Sequence, residues 1–70
     1  MAVETFKLSQ EYIQLNQLMK VMSWSMTGGE ANVIIDKGLV TVNGNVELRR
    51  RNKIYKGFEV SYGDHTVVVE

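Results

Sequence analysis

Residues 27–44, T-G-G-E-A-N-V-I-I-D-K-G-L-V-T-V-N-G, read as a capped helix that stops at a glycine and runs into a strand closed by a tight turn. Thr27 with Glu30 three residues later is a capping box: the threonine hydroxyl takes a first-turn backbone N–H, and the glutamate reaches back to the N–H of Thr27. Ala31, Ile34 and Ile35 share one helical face and are expected in a core. Lys37 suits the negative end of the helix dipole. Gly38 takes the left-handed position that ends the helix. Val40 and Val42 alternate as strand residues. Asn43-Gly44 tolerates the positive φ of a type I′ hairpin turn.

On the amino-terminal side, Leu15, Leu18, Met19 and Met22 form a helical stripe with Gln17 and Lys20 opposite. This predicts a first helix over about 17–22, opened by Asn16 in a short version or by Ser9 in a long one. Trp24 is expected to fill the gap between the two helices. Thr5–Leu8 alternates like a first strand, and Tyr12–Leu15 either extends a strand or opens the helix. On the carboxy-terminal side, Val46 and Leu48 give a return strand, and Lys56-Gly57 marks a turn. Phe58, Val60 and Tyr62 alternate again, Gly63-Asp64 turns, and residues 65–69 close the sheet. The fold class is α+β, two short helices packed on a small antiparallel sheet.

Seventy residues make one domain, 1–70, with a small core and modest stability. There is no cysteine, so neither disulfides nor thiolate metal sites contribute. His65 stands alone in a strand, which argues against a metal role. No apolar run approaches the ~20 residues of a membrane span. Met1–Glu4 does not read as a signal peptide, and a cytoplasmic location is expected. Eight basic residues balance eight acidic ones, which by itself disfavours a nucleic-acid binder. The distribution reverses that inference. Arg49, Arg50, Arg51, Lys53 and Lys56 fall within eight residues with no acid among them, so a neutral molecule presents one concentrated positive patch.

The run L-x-x-L-M-K-x-x-x-W-x-x-T-G-G-E-A, followed by G-L-V-x-V-N-G-x-V-E-x-R-R-R-x-K-I-x-x-G, resembles the S-four type RNA-binding domain, the αL RNA-binding motif. The likeness is greatest to its small free-standing bacterial YbcJ/YaaA-like branch. It covers about residues 12–60. The family's first helix opens at an R-L-D triplet; here the triplet is Gln14-Leu15-Asn16, which favours Asn16 as the cap. Its second helix usually opens S-R-x-x-A-R; here those positions read Thr27, Gly28, Ala31 and Asn32, so both helix arginines are absent. The family's basic cluster matches Arg49, Arg50, Arg51 and Lys53. The resemblance implies an RNA-binding module without cofactor or metal. Its implied partner is structured RNA, ribosomal or transfer, with the ribosome a candidate; no membrane and no small-molecule substrate are expected.

The residues supply a mechanism for this. A helix amino terminus offers unpaired amides and a favourable dipole to an anion. Gly28 and Gly29 leave room for a close approach, and Thr27 can share its hydroxyl. If the arginine segment folds beside that helix end, guanidinium forks and amides converge on one strip of phosphates. Four or five such contacts imply a log–log salt slope of roughly −3 to −5. Each group also has a plainer reading. Thr27–Glu30 serves as a helix start, the arginines as a solvated loop, Asn32 as helix surface and Asn43 as a turn residue. Tyr55, inside the basic stretch, either stacks on a base or packs on the sheet edge.

Catalysis finds little support. There is no Ser/His/Asp set in plausible order, no HExxH and no phosphate loop, and a non-enzymatic role is expected. Two further roles remain in view: a protein-interaction adaptor, and an accessory subunit of an RNA-modifying or ribosome-assembly factor.

Overall fold

The computed structural model describes residues 2–70. In chain order the elements are β1 (Ala2–Phe6), β2 (Ile13–Gln14), α1 (Leu15–Val21), α2 (Gly28–Asp36), β3 (Val40–Val42), β4 (Asn45–Val46), β5 (Lys53–Ile54), β6 (Glu59–Tyr62) and β7 (His65–Val69). Five strands form one sheet in the order β1-β7-β6-β3-β4, and β2 with β5 forms a separate two-stranded ladder. The α+β expectation holds, with one correction. The sheet is mixed, because β1 runs parallel to β7, Ala2 opposite His65 through Phe6 opposite Val69. Leu8 N–H to the Glu70 carbonyl at 2.7 Å and Glu70 N–H to the Phe6 carbonyl at 2.9 Å extend that pairing. The two ends of the described chain therefore lie side by side. A local alternation pattern shows that a strand exists but not which strand it joins.

The central helix and hairpin form for the reasons their residues suggest. Thr27 Oγ1 accepts the Glu30 N–H at 3.1 Å. Glu30 Oε1 closes the turn on the N–H of Met26, at 3.0 Å, one residue before the expected partner. Gly38 ends α2 at φ 72°. Asn43 at φ 53° and Gly44 at φ 87° make the tight turn. The Asn43 side chain is committed to the sheet, its Oδ1 accepting the Glu59 N–H at 2.9 Å.

Helix α1 departs from its expected start. Gln14 is the residue that caps it, in extended conformation and without a side-chain cap bond. Asn16 lies inside the helix and is buried. Strand and helix readings of Tyr12–Leu15 are both realised: Ile13–Gln14 is strand and Leu15 opens the helix. The helix closes without a glycine. Ser23 N–H bonds the Lys20 carbonyl at 3.0 Å and Trp24 N–H the Met19 carbonyl at 2.9 Å. That is a Schellman closure, and it holds Ser23 at φ 63°.

The core gathers Leu15, Leu18 and Met19 of α1, Ala31 and Ile35 of α2, and Val40, Ile54, Val60, Val67 and Val69 of the strands, nearly all fully buried. Trp24 does not sit only between the helices as expected. Its ring stacks on His65 at 5.8 Å and tilts against Tyr62 at 6.2 Å, docking the helix connection on the β6–β7 hairpin. The expected return strand is only two residues long, and Val46 and Leu48 are exposed rather than alternating into the core.

Candidate nucleic-acid interface

The basic run 49–57 was expected as a loop. It contains a strand, because Ile54 is fully buried opposite Ile13 of β2, with Lys53 opposite Gln14. Burial of this one side chain fixes the segment against the start of α1. The Asn52 carbonyl accepts the Leu15 N–H at 2.9 Å, and the Arg50 carbonyl accepts the Asn16 N–H at 3.1 Å. The first, otherwise unpaired, amides of α1 are thus satisfied by the backbone of the arginine segment. The helix end that the arginines meet is that of α1, and not the Thr27 end of α2.

The sequence-predicted residues fall into two groups. Asn32 joins the arginine side: its Oδ1 accepts the Asn16 Nδ2–H at 3.1 Å, linking α1 to α2 beneath the basic segment. Thr27, Gly28 and Gly29 open α2, whereas the Arg50 guanidinium reaches Asp36 at its other end. Nine helical residues separate the two by roughly 12 Å. A side chain at Gly28 would meet open space, and a Cβ at Gly29 would meet the Thr27 Oγ1 at 3.9 Å. Asn43 sits in the β3–β4 turn, tied to Glu59 as described.

The four cations at 49–53 are not equivalent. Arg49 Nε donates to Glu47 Oε2 at 2.9 Å and its Nη2 to Oε1 at 3.2 Å. Arg50 forms a second two-pronged pair, Nε to Asp36 Oδ1 at 3.0 Å and Nη2 to Oδ2. The hydrogen bonds from these guanidiniums hold the Asp36 and Glu47 carboxyls below the usual carboxylate range. In return, each carboxylate raises the pKa of its arginine. Arg51 and Lys53 make no such pair among the described residues. Lys53 Nζ instead stands 4.9 Å from the centroid of the Tyr12 ring. This is cation–π range.

Arg49, Arg51 and Lys53 line one shallow cleft with Asn52 and Tyr55. Tyr55 tilts against Tyr12 at 5.9 Å and against Phe58 at 5.8 Å, and stays partly exposed. Tyr55 therefore packs at the edge, as its plainer reading has it, and still shows surface in the cleft. Three features were missed from the sequence. Asp36 neutralises Arg50 from fourteen residues away, which no local pattern carries. Glu47, two residues before Arg49, lies just outside the acid-free run and was not weighed against it. Tyr12 was read as part of a strand or helix start, with no role beside the basic segment. Among the described residues no cluster of metal-ligating side chains is present, and no helix is long and apolar enough to cross a membrane.

Comparison with known proteins agrees with this architecture. The S4 domain family matches residues 6–70. YbcJ of Escherichia coli (strain K12) is 41% identical over 66 residues, covering 93% of this chain and 94% of its own, and YbcJ of Shigella flexneri matches to the same extent. The solution structure of E. coli YbcJ, described as revealing an αL motif involved in RNA-binding, superposes with a TM-score of 0.74 at 38% identity. That superposition covers 99% of this chain and 89% of the other. With its helices seated on the sheet and nearly its whole length aligned, the chain belongs to the S4 domain family.

Proposed function

We propose that the protein is a non-enzymatic RNA-binding module that grips structured RNA by its phosphates at the cleft of Arg49, Arg51 and Lys53. The observation that carries this reading is the convergence of those three cations with Tyr55 on one concave surface. Family membership and the αL motif of the YbcJ relative support it. Arg51 and Lys53 are the principal phosphate ligands, since among the described residues no carboxylate pairs with them. Arg49 joins when its pair with Glu47 opens, and Arg50 chiefly ties the segment to α2. The open amides of Gly28 and Gly29, with the Thr27 hydroxyl, form a second anchor for a strand running along α2 past Asn32. Asn43 contributes through its turn. Such contacts follow shape rather than sequence, which suits helical ribosomal or transfer RNA in the cytoplasm.

The test is a fluorescence-anisotropy titration of a labelled stem–loop RNA with the wild-type chain and an Arg51→Ala/Lys53→Ala variant. Affinity falls by at least tenfold in the variant while the thermal unfolding midpoint is kept. Unchanged affinity in the folded variant refutes the assignment. A second reading, a protein-binding adaptor, draws on the exposed Leu39, Val46 and Leu48. It predicts salt-insensitive capture of a protein partner that survives nuclease treatment.

A further inference from the structure

A second concavity lies on the other side of the tyrosine pair, and its chemistry differs from that of the basic cleft. It is an open groove of about 550 Å³ between the end of β1 and the start of α1. Phe6, Leu8 and Ile13 give it an apolar floor. Its rim carries three neutral amides, Gln10, Gln14 and Gln17. Among the described residues the charged group on its lining is an acid, Glu11, and no lysine or arginine lines it. Tyr12 stands at its wall and touches Tyr55 of the basic cleft at a centroid distance of 5.9 Å. Lys53 bridges the two, with Nζ 4.9 Å from the Tyr12 centroid.

A phosphate is disfavoured inside a groove whose lining holds a carboxylate, the nearby Lys53 ammonium standing over the Tyr12 ring at the boundary with the basic cleft. A nucleobase fits it on three counts. Its faces suit an apolar floor and an aromatic wall. Its edges carry both donors and acceptors, which glutamine amides match in either sense. Its amino and imino protons suit a carboxylate acceptor. The volume lies in the range of pockets that enclose small ligands. The adjacent cleft takes the phosphates of the same nucleotide or its neighbour. A base inside a continuous duplex cannot reach such a groove; one in a loop, bulge or end can.

We infer that the groove between β1 and α1 is a nucleobase pocket, and that the ligand is RNA with an unpaired nucleotide beside a helical segment. The inference rests on the RNA reading above and narrows it. The experiment compares two fluorescein-labelled stems, one with a single bulged nucleotide and one uninterrupted, by anisotropy at fixed salt. The wild-type chain prefers the bulged stem by about 5- to 150-fold, the span expected of one stacked base. Gln10→Ala/Gln17→Ala, exposed positions whose side chains make no hydrogen bond among the described residues, loses that preference and keeps its affinity for the uninterrupted stem. Tyr12→Ala loses it too, and Tyr12→Phe restores it. Equal wild-type affinity for both stems, or an undiminished preference in the glutamine double variant, overturns the pocket and leaves phosphate binding standing. Binding to neither stem overturns both readings.

Discussion

Releasing Arg49 by replacing Glu47 with glutamine should strengthen RNA binding, although no cation is added. Charge counting in the sequence gives four cations at 49–53, and four phosphate contacts correspond to a log–log salt slope of roughly −3 to −4. The structure reduces that number. Glu47 and Asp36 each hold a guanidinium by two hydrogen bonds, so a phosphate that takes Arg49 or Arg50 must displace a carboxylate. The cation it gains is offset by the anion released. Arg51 and Lys53 alone give a slope of roughly −1.5 to −2. In Glu47→Gln the amide oxygen can still accept from the Arg49 Nε–H, the amide nitrogen cannot accept from Nη2, and the side chain carries no charge. One further phosphate contact becomes effective, and the slope steepens by about 0.7–0.9. Arg49 is 76% exposed in its side chain, so solvent screening keeps the affinity gain small, about 1.5- to 5-fold at physiological salt. The assay is anisotropy of a labelled stem–loop RNA from 50 to 300 mM KCl. Glu59→Gln, an exposed carboxylate outside both ion pairs, controls for the unit change in net charge. A wild-type slope near −4, or equal slopes in Glu47→Gln and wild type, would refute the claim that the carboxylates hold these arginines back.

Three further outcomes follow from the geometry. Asn16→Ala and Asn32→Ala each destabilise the fold, and urea unfolding of the double variant reveals a coupling of about 0.5–1.5 kcal/mol, since the pair shares one hydrogen bond. Ser23→Gly relieves a left-handed residue and raises stability by about 0.5–1 kcal/mol, seen as an increase of a few degrees in Tm. Asp36 and Glu47 have pKa values lowered by their arginines, so their contribution is full above the ordinary carboxylate range and is lost as pH falls through the lowered folded-state values. The urea midpoint therefore declines on acidification below about pH 5, and Asp36→Asn/Glu47→Gln flattens that decline.

The parts of the fold that the sequence discloses are those determined within a few residues. Thr27, Gly38 and Asn43-Gly44 each impose a local backbone conformation, and helix α2 and its hairpin follow. The first helix was placed almost correctly from its apolar stripe, yet its cap was misassigned. Asn16 has the chemistry of a cap residue, and only the tertiary contact with Asn32 shows that it serves as a buried clasp. The parallel pairing of β1 with β7 joins the two ends of the chain, and no spacing encodes it. Strand β5 was hidden because two residues are too few for an alternation pattern and one of them is a lysine. The basic patch was legible as a count of charges. Its division was not, because Asp36 reaches Arg50 only once α2 is packed beside the segment. The same packing sets the arginines against the start of α1 and leaves Thr27 at the distant end of α2.

The most direct test of the interface is an amide chemical-shift titration of the isotope-labelled chain with an unlabelled stem–loop RNA. The expected result is a continuous set of salt-sensitive shifts over Arg49–Tyr55 and the start of α1, with the Tyr62–Thr66 hairpin unmoved. Shifts confined to that hairpin, or to the exposed Leu39, Val46 and Leu48, would contradict it.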